Sequence, residues 1–237
     1  MTASEQKTLK RFYKDATVAE HDGAFQIHLD GRTIKTPAGR ALAVPTRALA
    51  DAIAGEWNEQ GEIIAPHSLF LTRLANSAAD AVAPREAEVV DEITSFAASD
   101  LLCYRAPFPA ALAARQAELW NPVLAFIREK YGATFEVAEG VGHVAQPPAS
   151  IEAIRNVVAA YGPFRLAALH MMTTLTGSAL LALAHVDGFL DLAATWAAAH
   201  VDEAWQAAQW GQDFDAAERL KRRSDDFDKA SRFFALA

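Results

Sequence analysis

The sequence predicts an α+β protein in two parts: a small N-terminal antiparallel β-sheet domain with one or two helices, then an all-helical C-terminal domain. Three observations carry this reading. Between residues 12 and 44, apolar and polar residues alternate in short runs separated by turn pairs. After Pro45 the apolar spacing changes to four, and beyond Pro84 almost every stretch has helical periodicity. The border is therefore set at Pro84, giving domains of residues 1–84 and 85–237.

In the first part, Asp22-Gly23 and Asp30-Gly31 bracket the strictly alternating run of Phe25, Gln26, Ile27, His28 and Leu29. An Asp-Gly pair between alternating runs is a strong hairpin signal, because a two-residue turn of this kind needs positive φ at both positions. With residues 33–36 and 42–44 added, the segment reads as an antiparallel meander of three or four strands. Thr46 can accept hydrogen bonds from the first free amides of a helix. Leu49, Ile53 and Trp57 then recur every four residues, predicting a helix to about Gln60. The connector 61–66 holds a short strand at Ile63 and Ile64, and residues 69–82 form a second helix that Pro84 stops.

In the second part the predicted helices are 85–98, 109–131, 150–161, 163–184, 188–210 and 215–235, with Gly177 offering a break in the fourth. Residues 134–137 read as a lone strand before a glycine-containing loop. Asp215 and Glu218 supply a helix start, and Arg222 with Asp226 has the spacing of a helical ion pair. Helices at this density, joined by short loops, pack as a bundle.

Composition excludes several classes of function. Of 237 residues, 22 are Lys or Arg and 30 are Asp or Glu, a net charge of −8 and the wrong sign for coating phosphate backbones, so no nucleic-acid partner is expected. The first fourteen residues have no apolar core of a secretory signal. The longest apolar stretch, 166–186, is interrupted by His170, Thr173, Thr174, Thr176, Ser178 and His185. It reads as a buried helix, or two broken at Gly177, and not as a membrane span, so no membrane insertion is expected. A single cysteine, Cys103, allows no internal disulfide and suits a reducing compartment.

Catalytic signatures are absent from the pattern. Gly140 and Gly142 lead into His143 with no third glycine or helix start, and no phosphate-binding loop exists. His185 with Asp187, and His200 with Asp202, are two apart and diverge by about 200° on a helix, so neither pair clasps a metal. Neither cofactor nor metal is expected. Cys103 among apolar neighbours reads as a buried thiol, and Ser178, lacking the second glycine of a nucleophile elbow, reads as a small residue that lets helices approach. The competing reading is an enzyme or small-ligand protein whose interdomain pocket uses Cys103, His143 or His170, which requires them to share a concavity with a perturbed carboxylate.

The most informative stretch is 196–213, where Trp196, Trp205 and Trp210 interleave with Asp202, Glu203, Gln206 and Asp213 near a helix end at Gly211. Any one tryptophan fits a core. Together with the polar residues they read as a contact surface, since tryptophan is enriched among residues that dominate interfaces.

Several groups of residues, in order, carry a resemblance. They are Arg11 to Lys14, Leu29 to Arg32, Lys35 to Pro37, Glu56 with Trp57 and Gln60, Leu71 with Asp80, Asp100 to Arg105, Gln116 with Trp120 to Pro122, Gly177 with Ser178, and Val201 to Gln206 with Trp210 and Asp213. Over nearly the whole chain this series resembles the ATP synthase assembly chaperones that handle the alpha subunit. The resemblance implies a non-enzymatic chaperone of F-type ATP synthase assembly, which binds the free alpha subunit before it pairs with beta and keeps it from aggregating. It implies an N-terminal α/β domain followed by an orthogonal helical bundle. It also implies a critical acidic position at Asp202, with Glu203 beside it, so the expected partner-binding set is Asp202, Glu203, Trp205, Gln206 and Trp210. The expected compartment is the bacterial cytoplasm, the related eukaryotic proteins lying in the mitochondrial matrix.

Overall fold

The computed structural model describes residues 9–140, 142–211 and 213–237. The chain divides into two compact units, one running to Pro84 and including Leu236 and Ala237, the other Arg85–Ala235.

In the first unit the strands are β1 (Leu9–Lys10), β2 (Ala16–His21), β3 (Ala24–Leu29), β4 (Arg32–Thr33), β5 (Ala43–Val44) and β6 (Ile63–Ile64). The expected meander is present. β2 pairs antiparallel with the whole of β3, Ala16 opposite Leu29 and His21 opposite Ala24, and β3 also pairs β4 and β5. Both Asp-Gly pairs adopt positive φ at both positions, 51° and 75° at Asp22 and Gly23, 47° and 79° at Asp30 and Gly31. The Asp30 carboxylate also accepts the backbone N–H groups of Asp15 and Lys14 at 3.0 and 3.1 Å. Those bonds hold its carboxyl below the ordinary aspartate range. β1 pairs antiparallel with β6, and at two residues it is too short to show a period in sequence.

Helix α1 (Arg47–Asn58) starts at Thr46, whose Oγ1 accepts from the Leu49 N–H at 3.1 Å. Its Leu49 and Ile53 are fully buried with Ile27, Leu42 and Val44, forming the core between helix and sheet. Helix α2 (Phe70–Ser77) has no side-chain cap of its own. The Glu56 carboxylate of α1 replaces it, accepting the Leu71 and Thr72 N–H groups at 2.6 and 2.9 Å. The predicted helix 69–82 is thus shorter as an α-helix, its last turn widening to a π-turn over Ala78–Val82.

The second unit holds α3 (Glu86–Ala98), β7 (Tyr104–Arg105), α4 (Ala110–Tyr131), β8 (Ala138–Glu139), α5 (Pro148–Ala159), α6 (Pro163–Thr176), α7 (Ala179–Val186), α8 (Leu192–Ala199), α9 (Val201–Trp210) and α10 (Phe214–Leu236). Residues Ala179 to Ala184 of α7 are all fully buried, which places the apolar run of the sequence at the centre of this unit. Among the described residues no helix is long and apolar enough to cross a membrane.

Several boundaries differ from the sequence reading. The stretch 163–184 is two helices, because Gly177 takes φ 69°, a left-handed conformation that ends α6. The predicted helix 188–210 is also two, divided at His200. The lone strand lies at 138–139 instead of 134–137, paired parallel with β7. Helix α10 is capped by Asp213, whose Oδ1 accepts the Ala216 N–H at 2.8 Å, and not by Asp215. Arg222 turns back to Glu218 at 3.3 Å and not to Asp226.

Ser178 is more than a small spacer. Its hydroxyl accepts the Leu181 N–H at 2.9 Å, capping α7, and donates to the Asp100 carboxylate at 2.6 Å. Asp100 is wholly buried and also accepts the N–H groups of Leu102 and Leu180, both at 3.1 Å. Burial pushes its carboxyl up to about 6, against the opposing pull of those bonds.

Candidate functional site

The predicted contact residues fall on α9 and the turn before it. Where α8 ends, His200 leaves helical geometry at φ −121°, ψ 28° and is buried, its ring 3.9 Å from that of Trp196 and its Nδ1 3.1 Å from the Trp196 carbonyl oxygen. Burial lowers its pKa, favouring the neutral imidazole. The chain then re-enters a helix with Val201 buried beneath it. Asp202 and Glu203 occupy the first turn of α9, where the unpaired N–H groups of a helix start favour negative charge.

Asp202 is held by a relay. Its Oδ1 accepts from the Gln116 side-chain amide at 2.7 Å, and Gln116, almost fully buried on α4, accepts the Ala106 N–H at 2.8 Å through its Oε1. One turn further along α4, the buried Trp120 donates its indole N–H to the Ala198 carbonyl at 2.8 Å. The Arg105 guanidinium lies 4.9 Å over the Trp120 ring and donates to Asn121 Oδ1 at 3.0 Å. Its Nε and Nη1 have no hydrogen-bond partner among the described residues.

Two clefts flank this helix. One, of about 470 Å³, is walled by Asp202, Glu203 and Gln206 on one side and by Thr174 to Gly177 on the other, with Trp120 and His200 behind. The second, of about 480 Å³, lies between the outer half of α9 and the start of α10, lined by Gln206, Trp210, Asp213 and Leu220. Glu203, Gln206 and Arg223 belong to both. Arg223 donates to the Leu175 carbonyl at 2.7 Å. At the far end Trp210 and Phe214 stand 88% and 80% exposed, a large apolar area left uncovered.

The structure thus brings Asp202, Glu203, Gln206 and Trp210 to one continuous surface. Trp205 is half-buried and lines neither cleft. Sequence reasoning gave no role to Gln116 or Arg105. Their roles follow from the packing of α4 against α9, which no local pattern in the sequence announces.

The residues of the competing enzyme reading are not brought together. Cys103 is buried, and burial with the neighbouring Asp100 pushes its thiol up to about 12, the wrong direction for a nucleophile. His143 is exposed, and His170 pairs with Glu92 at 3.1 Å. None of the three lines either cleft beside α9. Among the described residues no three His, Cys, Asp or Glu side chains gather as a metal site. The arrangement around α9 presents carboxylates, an amide and an exposed indole, groups suited to holding a cationic and apolar polypeptide surface.

The chain is similar to several known proteins. The family model described as ATP12 chaperone protein matches residues 10–128. The mitochondrial protein atp12 of Schizosaccharomyces pombe is 26% identical over 225 residues, covering 90% of this chain and 77% of that protein. Among solved structures, Atp12 from Paracoccus denitrificans superimposes with a TM-score of 0.93 at 37% identity, covering 96% of this chain and 98% of that one. The Atu1473 protein of Agrobacterium tumefaciens gives the same TM-score at 46% identity, covering 96% of this chain and 85% of that one.

Proposed function

This chain belongs to the ATP12 chaperone family, and on that premise we propose that it assists assembly of F-type ATP synthase by binding the unassembled alpha subunit. Bound in this way, alpha is kept from aggregating until beta takes its place. The observation that carries the reading is the surface on α9, where two carboxylates at a helix start share a face with an exposed tryptophan. An unassembled ring subunit exposes an interface of several hundred Å² or more that self-associates when left bare. A holdase needs a complementary surface, not a reactive centre. Because the client must later be released to its neighbour, a polar and partly charged contact of standard size suits the task better than an obligate apolar one. The role is non-enzymatic, and its compartment is the bacterial cytoplasm.

The test is to dilute isolated alpha subunit from denaturant with and without this protein and follow light scattering, then run the mixture on a gel-filtration column. The expected result is suppressed scattering and co-elution. Undiminished aggregation with no shared peak overturns the reading.

A further inference from the structure

A third cleft, of about 800 Å³, lies wholly within the N-terminal unit. Its walls come from residues 9–13, 29–37 and 66–76, with Trp57 of α1 between them. The surface is largely apolar: Leu9, Phe12, Ile34, Pro37, Pro66 and Leu69 line it, and Phe12 and Leu9 stand 67% and 54% exposed. Bare aromatic and aliphatic side chains gathered in one concavity mark a surface that something covers.

The rim has a definite sign. Arg32, Lys35 and Arg73 are exposed around the cleft, and among the described residues none of them forms a salt bridge. Arg40, by contrast, is matched to Asp80 at 2.8 Å. The one carboxylate in the lining, Asp30, accepts the N–H groups of Lys14 and Asp15 and forms no salt bridge with these cations, so three positive charges stand against one negative. The charge is local to this unit. Residues to Pro84 hold nine Lys and Arg against ten Asp and Glu, while the remainder hold thirteen against twenty, so seven of the eight excess negative charges lie beyond Pro84.

Two features suit a polypeptide occupant. β4 ends its sheet path, so one of its edges has no strand neighbour among the described residues, and an extended chain can lie alongside such an edge. The Asn76 side chain lines the same wall, and its buried Oδ1 has no hydrogen-bond partner among the described residues. The Arg11 guanidinium donates to the carbonyls of Tyr13, Asn58 and Gln60, fixing the wall at 9–13 against the end of α1.

We propose that this cleft docks an extended, acidic and apolar segment of the chaperone's client polypeptide, a reading that rests on the chaperone role above. Apolar side chains of the segment sit against Phe12 and Leu69, and its carboxylates meet Arg32, Lys35 and Arg73. The acidic surface on α9 and this basic cleft then select clients carrying both signs.

The experiment uses the full chain and a short fluorescein-labelled peptide of alternating aspartate and leucine, with a counterpart in which lysine replaces every aspartate. Fluorescence polarisation is expected to show the acidic peptide binding at least about tenfold more tightly than the basic one, and more weakly as salt is raised from about 50 to about 300 mM. The double variant Lys35→Glu, Arg73→Glu is expected to lose about tenfold or more in affinity with an unchanged far-ultraviolet circular dichroism spectrum. If that variant does not fold, Lys35→Ala with Arg73→Gln serves, with a smaller loss in the same direction. Equal binding of the two peptides, or unchanged affinity in the variants, overturns the proposal. So does displacement of the peptide by ATP at lower concentration than by unlabelled peptide, which assigns the cleft to a nucleotide. No ATP synthase subunit is present in this assay, so its failure and a failure of the alpha-subunit assay are read separately.

Discussion

The side-chain amide of Gln116 donates to Asp202 Oδ1 at 2.7 Å, joining two residues 86 positions apart and tying the first turn of α9 to the middle of α4. This bond gives Asp202 two duties, a structural one toward α4 and a charged one toward solvent. They can be separated by substitution.

Asp202→Asn keeps an acceptor for Gln116 and removes the charge, so its thermal stability is expected to stay near that of the parent while capture of alpha falls. Asp202→Ala leaves the buried Gln116 amide without its acceptor, a loss of roughly 1–3 kcal/mol. Chemical denaturation of the two variants side by side checks this. Equal destabilisation by both excludes the separation.

Trp210 and Trp120 are expected to behave oppositely. Trp210→Ala removes an indole that is 88% exposed, so folding stability moves by no more than about 0.5 kcal/mol while suppression of alpha aggregation weakens. Trp120→Ala empties a fully buried site and breaks the bond to Ala198, costing on the order of 3–5 kcal/mol. Urea midpoints and light scattering on the same preparations distinguish the two.

Asp100 sets a pH dependence whose sign opposes that of an ordinary surface carboxylate. Its folded pKa of about 6 lies above the ordinary 3.8, so the folded state binds the proton more tightly. Its contribution is fully present below about 3.8 and is lost as pH rises towards 6, at up to about 1.4 kcal/mol for each unit of difference. The stability of the parent minus that of Asp100→Asn is therefore expected to fall between pH 4 and pH 6 and to level off above. Denaturant titrations at a series of pH values measure it, and a flat difference excludes the assignment.

The Cys103 thiol is expected to be silent in the native protein. Buried and pushed up to about 12, it yields almost no thiolate at neutral pH. A colorimetric thiol reagent is expected to react fully in denaturant and negligibly without it. Fast native labelling excludes this placement.

Much of the fold was legible because local chemistry decided it. The Asp-Gly pairs at 22 and 30 required positive φ and obtained it, and Thr46 caps α1 as its position promised. What stayed hidden was settled by partners distant in sequence. His200 divides α8 from α9 in a run without Gly or Pro, held out of helical geometry by burial and by Trp196. β7 and β8 are two residues each and pair across more than thirty positions. At the site, the clustering of Asp202, Glu203 and Gln206 follows from helix spacing alone, whereas the exclusion of Trp205 and the support from Gln116 depend on which side of α9 meets α4.

The break at His200 has a mechanical consequence. Helix α9 is clamped at its beginning, by the buried Val201, the His200 ring on Trp196 and the bond to Gln116, while its last residues Gln209 and Trp210 stand in solvent. It is a cantilever. The cleft beside Asp202 accordingly has a stiff wall and the one beside Trp210 a compliant wall, since exposed terminal turns open at little free-energy cost. In the proposed role, one end of the same helix presents a fixed charge to a client and the other a surface that yields to the bulk of its side chains.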